Sequence, residues 1–226
     1  MCGIVGYIGL DSAADVLVEG LKTLEYRGYD SAGVAIIGAS GLQRERAEGK
    51  LKNLAAKLRA APLAGNLGIG HTRWATHGKP NEINAHPHRS GSVAVVHNGI
   101  IENYASLRSE LQAAGAVFVS ETDTEVVAHL VGSLRAEGLD LRASVEAAIQ
   151  RLEGAYAIAV VDENFPDELV AARLSSPLIL ALGEGENLVA SDLPAVLTHT
   201  RNVVFLEDGD LAHLRRDGVD IYAKGL

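Results

Sequence analysis

Met1-Cys2-Gly3-Ile4-Val5-Gly6-Tyr7-Ile8 opens the chain, and its reading decides what the rest can be. It carries the only cysteine among 226 residues, one position from the amino terminus. If Met1 is removed, Cys2 holds both a thiol and a free α-amine. A thiol has a pKa of about 8.5 and an α-amine one of about 7.7 to 8.0, so near neutral pH the amine takes the thiol proton, directly or through one water. Nucleophile and base then belong to one residue, the N-terminal form of the activated-nucleophile scheme, and the reaction class is acyl transfer through a thioester. While Met1 stays on, the nitrogen of Cys2 is an amide and no base. A second reading stays open at this point: a mostly apolar run with glycines at 3, 6 and 9 is also a short buried strand that happens to carry a structural cysteine.

The composition bounds the alternatives. A chain of this length can bury a sizeable core, and a hydrophobic content of 47% with mixed charge reads as soluble and globular. Twenty basic against 29 acidic residues give a net charge of −9, and without a long basic run a nucleic-acid backbone is not an expected partner. One cysteine forbids an internal disulfide, which fits a reducing compartment. Neither a signal-peptide pattern nor an apolar run long enough for a bilayer occurs, so no membrane association and a cytoplasmic location are expected.

Along the chain, Asp11 or Ser12 is expected to cap a helix whose apolar face runs through Ala14, Leu17, Leu21 and Leu24 and which stops near Arg27-Gly28. Strands follow at 33–37 and 41–46, then a helix over about 50–60 closed by Pro62. Strands at 67–70 and 93–96 flank a long loop rich in polar and aromatic side chains, a connection more often functional than not. Three helices come next: one from near Glu102 burying Tyr104, Leu107 and Leu111; one opened by a Thr122-Asp123-Thr124-Glu125 capping box, burying Val127, Leu130 and Leu134; and one burying Val145, Ile149 and Leu152. Strands resume at 156–161, 169–173, 178–182, 188–191 and 203–206, with a hairpin about Asp208-Gly209. Strands, a helical block, then strands suggest a layered α/β or α+β architecture.

Five histidines fall between positions 71 and 97, which raises a metal site as a rival. Their spacing lacks His-x-x-x-His and any cysteine pairing, so no metal is expected. Amide acyl transfer instead needs a nucleophile, its base, donors for an oxyanion, and groups that hold the substrate. Asn98-Gly99, ending an apolar strand, offers a side-chain NH2 and a main-chain N–H as oxyanion donors, although Asn-Gly is equally the commonest hairpin turn. Arg73 suits a substrate carboxylate or is a solvated loop charge. Asp123 suits a substrate ammonium or simply faces a helix dipole.

Six co-linear blocks carry a resemblance across essentially the whole chain: Cys2-Gly3-Ile4-Val5-Gly6; Leu24 to Gly33, containing Tyr26-Arg27-Gly28-Tyr29-Asp30; His71-Thr72-Arg73-Trp74-Ala75-Thr76-His77-Gly78; Asn84-Ala85-His86-Pro87-His88; His97-Asn98-Gly99-Ile100-Ile101-Glu102-Asn103; and Ser120-Glu121-Thr122-Asp123-Thr124-Glu125. Together they resemble the glutaminase domain of the glucosamine-6-phosphate synthase family, the isomerising glutamine:fructose-6-phosphate aminotransferases. The resemblance implies an α+β, N-terminal-nucleophile hydrolase fold, a four-layer αββα sandwich with two antiparallel sheets. It implies a class II glutamine amidotransferase in which mature Cys2 attacks the side-chain amide of L-glutamine while Asn98 and Gly99 stabilise the oxyanion. Arg73 would hold the substrate α-carboxylate and Asp123 its α-ammonium. Thr76 and His77 would line the pocket, Trp74 would sit on the closing loop, and Arg27 and Gly28 would support the start of the chain. No cofactor is implied.

The resemblance also carries a departure. Family members continue into sugar isomerase domains that bind fructose 6-phosphate, and nothing within 1–226 resembles them, so these residues are expected to be one glutaminase domain that makes no amino sugar alone. A homodimer is implied only for the full-length enzyme. The amidotransferases of purine and asparagine synthesis share the Cys-Gly start, but the Tyr-Arg-Gly-Tyr-Asp and His-Thr-Arg-Trp-Ala-Thr-His blocks favour the synthase type. A non-catalytic glutamine-binding module that keeps Met1, and a histidine-bound metal hydrolase, are the rivals from other classes.

Overall fold

The computed structural model describes residues 2–74 and 78–223, and within them two antiparallel sheets lie face to face between helical layers. The strands are β1 (Gly3–Ile8), β2 (Ser31–Gly38), β3 (Gly41–Glu48), β4 (Leu67–Arg73), β5 (His88–Ser90), β6 (Val93–Ile101), β7 (Gly154–Asp162), β8 (Leu169–Leu174), β9 (Ile179–Leu182), β10 (Asn187–Ala190), β11 (Val203–Phe205), β12 (Leu211–Arg215) and β13 (Gly218–Tyr222). The helices are α1 (Ala13–Thr23), α2 (Leu51–Ala60), α3 (Tyr104–Ala113), α4 (Thr124–Ala136) and α5 (Leu141–Ile149). The first sheet runs β11-β9-β10-β1-β4-β2-β3, and the second β13-β12-β8-β7-β6-β5. No described helix is long and apolar enough to cross a membrane.

Side-chain parity builds the layers. On β1, Val5 and Tyr7 face α1 while Ile4 and Ile8 face the other sheet; on β6, Val93 and Val95 face the helices α3 to α5 while Ala94 and Val96 face inward. Strands buried on both faces read as continuous apolar runs, which is how β1, β2, β6 and β7 look in the sequence. The inner layer between the sheets joins small residues such as Ala35, Ala94, Ala157, Ala159 and Ala171 to Ile4, Ile69 and Val96, so the two sheets approach closely. The four-layer αββα arrangement expected from the resemblance is the one observed.

Several local expectations are corrected. Ser12 caps α1, accepting from the Asp15 N–H. The capping box at Thr122 does not form. The Glu125 carboxylate turns away to accept from the Val119 and Ser120 N–H groups and the Ser120 hydroxyl, while Asp123 makes no side-chain cap. Partners in the preceding loop outcompete the helix end. Asp208-Gly209 is a crossover rather than a hairpin, because β11 pairs with β9 in one sheet and β12 with β8 in the other. The Asp208 side chain holds the bend through Arg173 and the Ser175 N–H. The real hairpin joins β12 to β13, two strands whose arginine, aspartate and histidine content hid them. Tyr104 and Leu134 are half-buried rather than buried. Asn98-Gly99 is no turn: both residues lie inside β6, opposite Ala157 and Tyr156 of β7.

Candidate active site

Sheet register brings the chain start to the ends of two other strands. β1 runs antiparallel to β4 with Gly3 opposite Thr72, so Cys2 falls beside Arg73 and Trp74 at the end of β4. The Trp74 N–H donates to the Cys2 sulfur at 3.2 Å, and the thiol faces the Trp74 carbonyl oxygen at 3.6 Å. The Cys2 carbonyl accepts from Asn98 Nδ2 at 3.0 Å and from Arg27 Nε at 3.3 Å. Ser191 ties Ile4, two residues on, its Oγ accepting from the Ile4 N–H. Burial pushes the Cys2 thiol up, outweighing the Trp74 N–H and the Arg73 charge that pull it down. A resting neutral thiol therefore needs a base before it attacks.

Two cavities meet at Cys2. A cleft of about 430 Å³ is lined by Cys2, Arg27, Trp74, Asn98, Gly99, Ile100, Glu102, Ala155, Ser176 and Pro177. A cavity of about 20 Å³ lies among Cys2, Arg73, Trp74, Gly99, Asp123 and their neighbours. The second has room for about one water, which occupies roughly 10 to 15 Å³ on the same measure, so it holds no amino-acid head group as it stands. What fills it is protein. The Arg73 guanidinium, almost fully buried, donates to the main-chain oxygens of Lys79 and Gly78 at 3.2 and 3.4 Å. Asp123 Oδ2 accepts from the Ile101 N–H at 2.8 Å. A substrate carboxylate would replace the two carbonyls at Arg73 with stronger charge-assisted partners.

Gly99 and Gly28 are required by space. Gly99 has φ +138°, and a Cβ there would lie 2.0 Å from the Ala155 oxygen. Gly28 is extended, but its Cβ would lie 2.7 Å from the Arg73 carbonyl carbon and 2.9 Å from the Trp74 nitrogen, the group that touches the thiol. Arg27 is gripped by Asp192, whose Oδ2 accepts from Arg27 Nη1 and from the Tyr26 hydroxyl, each at 2.6 Å. Trp74 is 45% exposed and stands edge-on to Tyr29 with ring centroids 5.4 Å apart.

Of the residues singled out in the sequence, Cys2, Arg27, Arg73, Trp74, Asn98, Gly99 and Asp123 converge around these cavities, with Gly28 directly behind. Thr76 and His77 lie outside the described residues. Sequence reasoning missed Ser191 and Asp192, which support Arg27 and the start of β1 from more than 160 positions away. An Asp-Leu-Pro run reads locally as a helix start and gives no hint of that partner. The histidines are a packed layer: His71 stacks on His86 at 4.1 Å, His88 meets His86 edge-on, and burial lowers the pKa of His71 to about 3. Among the described residues no three histidine, cysteine or carboxylate side chains are arranged to hold a metal.

Comparison with known proteins bears on this geometry. Residues 71–198 match the model of the glutamine amidotransferase domain. The chain is 54% identical to the isomerising glutamine–fructose-6-phosphate aminotransferase of Acinetobacter baylyi over 226 residues, covering 100% of this chain and 37% of that protein. Identity to the enzymes of the same name is 58% in Gloeobacter violaceus and 54% in Escherichia coli, again over 37% of their length. The chain therefore spans little more than a third of the curated relatives it matches. Among solved structures, glutamine phosphoribosylpyrophosphate amidotransferase from B. subtilis superposes with a TM-score of 0.84 at 26% identity, covering 98% of this chain and 49% of that one. An allosteric regulatory enzyme of purine biosynthesis gives 0.85 at 27% identity, covering 98% and 49%. These two structures thus share the fold, while sequence identity is twice as high to the fructose-6-phosphate aminotransferases, and the chain belongs to the glutamine amidotransferase domain family.

Proposed function

We propose that this chain hydrolyses the side-chain amide of L-glutamine to L-glutamate and ammonia, with Cys2 as the nucleophile. After Met1 is removed, the α-amine of Cys2 takes the proton from its own thiol, whose raised pKa makes that transfer necessary. The sulfur attacks the amide carbon, and Asn98 Nδ2 and the Gly99 N–H receive the developing oxyanion. The ammonium form of the α-amine protonates the leaving nitrogen, ammonia departs, and water then cleaves the thioester. Arg73 exchanges its bonds to Gly78 and Lys79 for the substrate α-carboxylate, and Asp123 receives the α-ammonium. Thr76 and His77 complete the pocket, Trp74 covers it, and Arg27 with Gly28 holds the Cys2 main chain in register.

The observation that carries this reading is the convergence of the thiol, both oxyanion donors, a buried guanidinium and a buried carboxylate on two adjoining cavities that share Cys2, Trp74 and Gly99. In the longer relatives the released ammonia would aminate fructose 6-phosphate to glucosamine 6-phosphate, with the sugar bound outside a single glutaminase domain spanning 1–226. A cytoplasmic setting, a homodimer of the longer protein, and no role for nucleic acid, membrane or cofactor complete the proposal. The test is ammonia release from glutamine by the wild type and Cys2→Ala across pH. The wild type should gain kcat/KM as pH rises through about 7.7 to 8.0, the range of an α-amine, and Cys2→Ala should be inactive. Activity in Cys2→Ala would refute the assignment.

A further inference from the structure

His71 on β4 and Asn98 on β6 belong to different sheets, and their side chains meet in the buried space between them. His71 Nε2 lies 3.1 Å from the main-chain oxygen of His97 and 3.0 Å from Asn98 Oδ1. A carbonyl oxygen only accepts, so Nε2 carries the hydrogen. Burial keeps this ring neutral at working pH, and Nδ1 has no hydrogen-bond partner among the described residues, consistent with a bare Nδ1. An N–H aimed at the Asn98 amide requires the amide oxygen at that end. The opposite end gives the same answer independently: the Asn98 atom turned toward Cys2 is 3.0 Å from the Cys2 carbonyl, a second pure acceptor, so it must be the NH2. A flipped amide would set N–H against N–H at His71 and oxygen against oxygen at Cys2, losing both bonds in a buried setting.

We propose that His71 is a positioning residue for the oxyanion hole, its Nε2–H locking the Asn98 amide so that the NH2 and not the oxygen faces the nucleophile. One Nδ2 hydrogen is taken by the Cys2 carbonyl, and the other is left for the cleft that Asn98 shares with Cys2 and Gly99. The inference rests on the reading above that Asn98 is an oxyanion donor. His86, stacked on the His71 ring with 29° between the planes, holds it in place without using Nε2.

The test compares His71→Met, which keeps bulk and loses the donor, with His71→Gln, whose side-chain NH2 reaches near the Nε2 position. Asn98→Ala runs alongside. Deleting an oxyanion donor costs about 100- to 1,000-fold, so a donor that is present but held only at its Cys2 end should cost about 10- to 100-fold in kcat in His71→Met. KM for glutamine should stay within about 3-fold, and His71→Gln should recover kcat to within about 5-fold of wild type. A folded His71→Met with wild-type kcat, beside an impaired Asn98→Ala, overturns the inference alone. An unimpaired Asn98→Ala removes the underlying reading. Should His71→Met not fold, nitrogen-15 shifts of the wild-type imidazole decide: Nε2–H with bare Nδ1 between about pH 6 and 8 supports the inference, and the Nδ1–H tautomer refutes it.

Discussion

Replacing Asp192 with asparagine tests whether the start of the chain is held from behind. The Asp192 carboxylate collects the Tyr26 hydroxyl and Arg27 Nη1 on Oδ2, each at 2.6 Å, and the Leu193 N–H on Oδ1 at 2.8 Å. Asp192→Asn keeps the shape and the Leu193 bond but removes the charge opposite Arg27. Removing one partner of a buried pair costs about 3 to 5 kcal/mol and an exposed pair about 0 to 1. The Arg27 side chain is 8% exposed and that of Asp192 34%, which puts the expected loss between those limits, at ~1–3 kcal/mol. With a urea m-value of about 3 kcal/mol/M, the midpoint should fall by about 0.3 to 1 M. The Tyr26 hydroxyl, the Leu193 N–H and the Arg27 charge hold the Asp192 carboxyl below its ordinary value, against burial. A depressed carboxylate stabilises the fold above its unfolded pKa and loses that contribution as pH falls through the folded one. The gap between wild type and variant should therefore be full above about pH 5 and close on acidification below about 3.9. Because Arg27 Nε also holds the Cys2 carbonyl, kcat for glutamine hydrolysis at pH 7 should drop by roughly 3- to 10-fold. A midpoint within about 0.1 M and a kcat within about twofold of wild type would refute the reasoning.

Gly28→Ala should cost about 1 to 3 kcal/mol in urea denaturation, because the added methyl meets the Arg73 and Trp74 main chain, and it should lower kcat as the Trp74 N–H shifts from the Cys2 sulfur. Glu125→Gln should destabilise the fold: burial alone would raise this carboxyl, but the His129 imidazole 3.7 Å away and hydrogen bonds from Ser120 and the Val119 N–H outweigh it and hold its pKa at about 2. Thermal melts should show that difference in full near neutral pH and losing size as pH drops from about 4.3 toward 2, by the same linkage sign.

Much of the fold was legible because its strands are apolar on both faces and punctuated by glycine, as in β1, β2 and β4. What failed was local rules overridden by distant partners. Thr122 to Glu125 has the letters of a capping box, yet Thr122 bonds His88, Asp123 receives the Ile101 N–H and Glu125 braces residues 119 and 120. Asn98-Gly99 has the letters of a turn, yet pairing with β7 extends the strand through it and leaves Asn98 lining the cleft at Cys2. β12 and β13 were hidden by charged residues that only pairing explains, such as Arg215 with Asp220. The convergence of Cys2, Arg73, Asn98 and Asp123 could not come from spacing, since it depends on which strands adjoin. The blocks quoted from the sequence nevertheless mark those residues.

The most direct test of the central claim is intact mass and glutamine hydrolysis measured on one preparation, with Cys2→Ala as control. The account predicts a mass lacking the initiator methionine and ammonia release that disappears with the substitution. Full activity in protein that retains Met1 would contradict it, because the nitrogen of Cys2 would then be an amide unable to serve as the base.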